Sequence, residues 1–226
     1  MRKIIGVILL AIVASGISLT LTKIPFAVPK TNVGTYYIDK GIDQTGAVNI
    51  VTSVVLNYRG FDTLGEVTVL FIAALGLGTV LATVKKTKRQ ILCSSLVLYA
   101  GCKFLFPFIL LFGIYIFLHG HLTPGGGFQG GAVIASGFLL VYLGCSQKRV
   151  NEAQFKVAGS IAALTFVITG ILGLVFGGYF LFNFLPKGVA NTLFSAGIIP
   201  VIYIAVGFKV GAELAGIIDD LIEKSA

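Results

Sequence analysis

Long apolar runs separated by short polar or charged segments set the pattern of this chain. They cover about residues 4–21, 63–84, 96–118, 131–146 and 157–177, with a last run from about 191 past 211. Most reach the roughly 17 to 25 residues that span about 30 Å of hydrocarbon as a helix. Continuous apolarity over that length, without strict alternation, predicts membrane-spanning helices rather than strands. Residues 46–58 are apolar and rich in β-branched side chains but too short to cross. A single helix from 46 to 84 would measure about 58 Å, so the chain is expected to bend near Gly60, with an interfacial or partly embedded helix before the true span. Residues 23–45, with Pro25 and Pro29, read as a polar connection, and Asn191-Thr192 as the N-cap pair of the last helix.

Composition agrees with that pattern. Of 226 residues, 56% are hydrophobic and 12% charged, against about 25% charged in a soluble domain. The expected fold is an all-α polytopic membrane protein with about six transmembrane helices and one interfacial helix. A net charge of +8 would suggest nucleic acid in a soluble protein. Here the cations stand at the ends of apolar runs, so no nucleic-acid partner is expected and the charge sets orientation instead. Arg2-Lys3, the cluster Lys85, Lys86, Lys88 and Arg89, and Lys148, Arg149 and Lys156 share one side if six spans alternate. That puts both termini in the cytoplasm, in a multi-pass protein of the cell membrane. Arg2-Lys3 and the run after it resemble a signal peptide, but 18 apolar residues exceed a signal's core and Leu19-Thr20-Leu21 is no cleavage site. The first run is therefore read as retained. Cys93, Cys102 and Cys145 have no metal or redox spacing and read as small buried residues.

The most unusual stretch is His119-Gly120-His121-Leu122-Thr123-Pro124-Gly125-Gly126-Gly127-Phe128-Gln129-Gly130-Gly131, set between two apolar runs. Glycine costs about 1 kcal/mol and proline about 3 in a helix interior, so Pro124, Gly125, Gly126, Gly127, Gly130 and Gly131 predict a sharp turn. It is no phosphate loop, because Ala132-Val133 follow where a Walker motif needs Lys-Ser or Lys-Thr. A plain re-entry turn between spans accounts for the composition equally well.

The run from Gly120 to Gly131 resembles the signature of the MnhB-type subunits of Mrp-type sodium/proton antiporters, subunits that recur in membrane-bound hydrogenases and related redox-driven complexes. A second stretch, Arg59-Gly60-Phe61-Asp62-Thr63-Leu64-Gly65-Glu66, with Gly46-Ala47-Val48-Asn49 and Val54-Val55-Leu56-Asn57-Tyr58, resembles the C-terminal membrane segment of the large MrpA subunit, a separate MbhE-like subunit in the hydrogenase relatives. The resemblance implies two joined modules, an MrpA-C-terminal or MbhE-like segment over 1–89 and an MnhB-like four-helix domain over 90–226.

Few residues carry candidate chemistry. Arg59, Asp62 and Glu66 stand at i, i+3 and i+7, on one helical face. Glu66 is either an outer-interface carboxylate paired with Arg59 or part of an ion-handling network, the latter favoured by the resemblance. In the last span, Gly207, Gly211 and Ala215 recur every four residues and allow close helix approach. Lys209 and Glu213 fall about 160° away at 100° per residue, as a functional pair or as one snorkelling at the interface. Lys103 is an interface anchor or a buried ammonium on a proton path. His119 and His121 titrate near neutral pH in general, yet they form no metal set; a turn-stabilising or proton-accepting role is expected. No nucleophilic triad, carboxylate dyad or dinucleotide fingerprint is present, so no catalysis and no cofactor are expected in this chain alone.

The resemblance implies a non-catalytic subunit of a multisubunit Mrp-type cation/proton antiport module, within a redox-driven respiratory complex of hydrogenase or sulfur-reductase type. It would contribute to a Na⁺ or H⁺ pathway, among other membrane subunits in a lipid bilayer. A purely structural scaffold and an independent small channel or carrier are the alternatives.

Overall fold

The computed structural model describes residues 2–23, 33–83, 95–144 and 152–225. Among them there is no strand. The helices are α1 (Arg2–Lys23), α2 (Val33–Thr45), α3 (Ile50–Ser53) running into a π-helical turn (Val54–Tyr58), α4 (Gly60–Ala82), α5 (Leu96–Leu118), α6 (Gly127–Gly144), α7 (Glu152–Gly177) and α8 (Ile199–Ser225). Six of these, α1 and α4 to α8, are long and apolar enough to cross a membrane, and the chain is an all-α, multi-pass membrane protein. The cluster 85–89, Lys148, Arg149, Cys93, Cys145 and the expected module junction near residue 90 lie outside the described residues.

The chain divides into a unit over residues 1–35 and a unit over 36–226. In the first, α1 is an apolar helix whose side chains from Lys3 to Lys23 are all exposed. The second is organised around α8, which packs against α4, α5, α6 and α7. Its core joins Phe166 of α7 to Ile202, Val206 and Val210 of α8, with Leu56 and Val67 brought in from upstream.

Small residues set the helix spacing. A Cβ added to Gly131 would lie 2.8 Å from the Gly207 carbonyl oxygen and 2.8 Å from Val210 Cβ; one added to Gly130 would lie 2.6 Å from the Gly113 carbonyl oxygen. Backbone-to-backbone approach of this kind is what glycine permits. It also corrects an expectation: Gly127, Gly130 and Gly131 lie inside α6, not in a turn that breaks it. The propensity cost of about 1 kcal/mol per glycine is offset by close packing of α6 on α5 and α8. The turn itself is confined to residues 119–126, where Gly126 has a φ of 156°.

Two further expectations change, while the bend near Gly60 is found. Residues 33–45 form a helix where a connection was expected, because Pro25 and Pro29 fall before its start. The short apolar segment 46–58 holds only one α turn and one π turn, with Asn49 capping Val51 and Thr52 through its side chain; the bend comes at Arg59, immediately before α4. Asn191-Thr192 is not an N-cap, since α8 begins at Ile199 with Pro200 in its first turn, where a missing N–H costs nothing. Asn191 instead takes a left-handed φ of 68°, as do Leu181 at 63° and Ala196 at 68°, in an irregular segment over 178–198 that folds over the end of the bundle.

Candidate functional site

Two polar assemblies occupy opposite ends of the second unit. The first is a clasp on the glycine turn. Thr52 donates to the Gly120 carbonyl at 2.6 Å and shares a 2.6 Å hydrogen bond with the Tyr203 hydroxyl. The Asn49 amide donates to the carbonyls of Gly120 and Thr123, each at 3.0 Å, and the Asn49 backbone N–H to the His121 carbonyl at 3.0 Å. The upstream segment thereby satisfies carbonyls that the turn leaves without intrahelical partners. His121 is fully buried behind this clasp. Its Nε2 faces the Thr192 carbonyl at 3.4 Å, and its Nδ1 has no hydrogen-bond partner among the described residues. Burial pushes the His121 imidazole below its ordinary value of 6.5, against a smaller opposing pull from the Thr192 carbonyl. His119 is half-exposed and stacks on Tyr115 at 4.2 Å. The two histidines do not converge, and among the described residues no group of His, Cys, Asp or Glu is placed to hold a metal.

The second assembly is a cleft of about 560 Å³ walled by α4, α7 and α8, with Tyr142 of α6 at its side. Glu213, Gly216 and Asp220 line it and, with Lys209, fall within about 60° of arc on α8 at 100° per residue. Lys209 pairs with Glu213, and their side chains are only 6% and 19% exposed. The Lys209 ammonium also lies over the Phe71 ring of α4, 4.4 Å from its centroid. Gly159 of α7 lies beside the lysine stem: a Cβ there would stand 3.7 Å from Lys209 Cδ and 3.9 Å from Nζ, in ordinary van der Waals contact. Lys209 lies ten residues into α8, about 15 Å from its start at 1.5 Å per residue, close to the middle of the span Ile199–Ile222. The pair is thus buried against neighbouring helices near the middle of that apolar stretch, not exposed at its end. From Glu213 the cleft runs toward the α8 C-terminus past Ser160, Lys156 and Asp220, away from the glycine turn.

The remaining expected site residues stay apart. Arg59 and Asp62 form an exposed pair at the start of α4. Glu66 is exposed on α4 and makes no ion pair or hydrogen bond among the described residues, so of its two alternative readings the pairing with Arg59 is not found; Arg59 pairs with Asp62 instead. Lys103 is exposed on α5, with its ammonium on the Tyr99 hydroxyl and ring. Of the turn glycines, Gly125 and Gly126 hold the bend, with Pro124 exposed at its tip.

Residues 97–216 match the family described as a domain related to the MnhB subunit of Na⁺/H⁺ antiporter, over more than half of the chain. The chain belongs to this MnhB-related family. Residues 1–94 match a second family, MbhE. The MnhB-related chain is 45% identical, with a TM-score of 0.83, to a chain in the structure of the membrane-bound sulfane sulfur reductase, an archaeal respiratory membrane complex; 98% of each chain is covered. An uncharacterised protein of Methanocaldococcus jannaschii is 34% identical over 194 residues, 74% of each chain. A chain of the Mrp complex from Dietzia sp. DQ12-45-1b shares the fold at a TM-score of 0.79 and 24% identity. It covers 99% of the MnhB-related chain, which spans only 26% of that longer one.

Placed on these matches, both assemblies tie the two regions together. Asn49 and Thr52 come from the MbhE-like part and clasp the turn of the MnhB-related part. Phe71 does the same for Lys209. Sequence reasoning quoted Asn49 only as part of a resemblance and passed over Thr52, Phe71 and Tyr203. No local pattern distinguishes a phenylalanine that covers an ammonium from one that faces lipid.

Proposed function

We propose that this chain is a non-catalytic membrane subunit of a multisubunit Mrp-type cation/proton antiport module, working within a redox-driven respiratory complex of sulfur-reductase or hydrogenase type. Its two modules are residues 1–89 and 90–226. It contributes the Lys209–Glu213 pair to a Na⁺ or H⁺ pathway, while other subunits supply the redox chemistry. The observation that carries this reading is a buried, oppositely charged pair near the middle of α8, whose Glu213 carboxylate lines a cleft that also holds Asp220 and Lys156. Ionisable groups at membrane depth are costly and concentrate on ion and proton routes. The 45% identity to a chain of a respiratory membrane complex supports the redox-coupled version. In this reading both termini are cytoplasmic and the cleft opens toward the cytoplasm.

The test uses the purified complex in liposomes, following cation-driven pH change. Removing one partner of a buried pair costs about 3 to 5 kcal/mol, whereas replacing both with apolar groups is often neutral. The double variant Lys209→Met/Glu213→Leu should therefore assemble normally, and its transport should fall at least about tenfold. A double variant with wild-type transport at matched assembly would remove the pair from the pathway. Glu66→Gln is the companion variant. Because Glu66 meets no polar partner among the described residues, its contribution depends on a neighbouring subunit, and it should reduce transport less than the double variant does.

A further inference from the structure

The Lys209 ammonium has two attractive neighbours on different helices, the Glu213 carboxylate one turn along α8 and the face of the Phe71 ring on α4. An aromatic face attracts a cation through its quadrupole, most strongly where water is excluded, and here the lysine side chain is 6% exposed. Phe71 itself is 41% exposed, so one ring face covers the ammonium while the rest forms the outer wall over it. Glu213 is the more open partner, lining the cleft together with Ser160 and Lys156 of α7, Thr79 of α4 and Asp219 and Asp220 of α8. A small cation arriving through the cleft meets a carboxylate already occupied by an internal ammonium.

We propose that Phe71 is a positioning residue for cation exchange at this pair, a second seat on which the Lys209 ammonium remains when Glu213 takes up a proton or a monovalent metal cation. This rests on the reading of Lys209–Glu213 as part of the pathway. No covalent bond changes. The carboxylate exchanges one cationic partner for another, and the displaced ammonium keeps the ring instead of standing alone in a low-dielectric interior. The ring touches the ammonium in the paired state too, but it attracts a bare ammonium more than one neutralised by a carboxylate, so without the ring the displaced state loses more stabilisation and the incoming cation competes less well. The seat also joins the two matched regions, since Phe71 lies within 1–94 and Lys209 within 97–216.

The experiment compares Phe71→Leu, Phe71→Tyr and Lys209→Met in the intact complex, reconstituted in liposomes at matched subunit content, measuring transport against external Na⁺. Phe71→Leu should raise the half-saturating Na⁺ concentration about threefold or more, a part of the cation–π contact because the ring already touches the paired ammonium, with the maximal rate within about twofold. Phe71→Tyr keeps the ring face and should stay within about twofold on both measures. A loss of packing alone would lower assembly or maximal rate and leave half-saturation where it was. An unchanged half-saturation in Phe71→Leu, with transport lost in Lys209→Met, would overturn the role of Phe71 and leave the pathway reading standing. Wild-type transport in Lys209→Met would overturn both.

Discussion

Burial divides the ionisable side chains into two groups with different physics. Arg59, Asp62, Glu66 and Lys103 are exposed on the surface of this chain. Lys209, Glu213 and His121 are enclosed by this chain's own helices and answer to its packing. His121 gives a pH prediction at this scale. Its folded value lies below the ordinary 6.5, chiefly through burial. The native state therefore binds fewer protons than the unfolded state between the folded value and 6.5. The stability it contributes is fully present above about pH 6.5 and is lost as pH falls toward the folded value. Hydrogen exchange in detergent should show the backbone of 119–123 and 191–193 losing protection on going from pH 8 to pH 5, after correction for intrinsic rates. His121→Gln should flatten that dependence, and equal loss in both proteins would clear His121 of the effect.

Between elements, glycine decides how closely α6 approaches α5 and α8. Gly131→Ala would place a methyl 2.8 Å from the Gly207 carbonyl oxygen, and overpacking of this kind costs about 1 to 3 kcal/mol. Gly101 of α5 has nothing within 4 Å of its notional Cβ, so Gly101→Ala should stabilise by up to about 1 kcal/mol through helix propensity. Opposite shifts in the thermal midpoint of the two variants would establish the contrast; equal shifts would show that helix spacing relaxes freely. Gly126→Val should be worse than Gly131→Ala. A φ of 156° disfavours a β-branched residue, and the added Cβ would lie 2.9 Å from Gln129 Oε1 and 3.0 Å from the Tyr203 ring. The expected result is poor assembly of the complex.

For the whole molecule, the hydrogen bonds of the clasp gather α3, the turn between α5 and α6, and the start of α8 at one end of the second unit. The cleft lies at the other end. We propose, from the positive-inside rule, that the glycine turn lies outside. In a background lacking Cys93, Cys102 and Cys145, an impermeant thiol reagent should label a cysteine at Gln129, which is exposed, from the outside. A cysteine at Thr87 should be labelled only from the cytoplasmic side. The reverse pattern would invert the protein and move the mouth of the cleft to the outer face.

The sequence by itself determined the spans, because twenty apolar residues in a row can satisfy their backbone only as a helix in hydrocarbon. Leu96–Leu118 is legible to the residue, and Arg59-Gly60 marks the bend before α4. The family signature in 120–131 was equally legible, being a local string of residues. Propensity misled where packing outweighed it. Gly127, Gly130 and Gly131 read as helix breakers yet form the first turns of α6, because α5 and α8 press against them. Asn191-Thr192 read as a cap, although the chain spends several more residues in an irregular segment with left-handed positions before α8 begins. Lys209 and Glu213 could be paired by their spacing, but only tertiary structure enclosed them between α4 and α7 and set Phe71, well over a hundred residues upstream, against the ammonium. Periodicity reports which face of a helix is apolar; it carries no information about which helix comes to lie against that face.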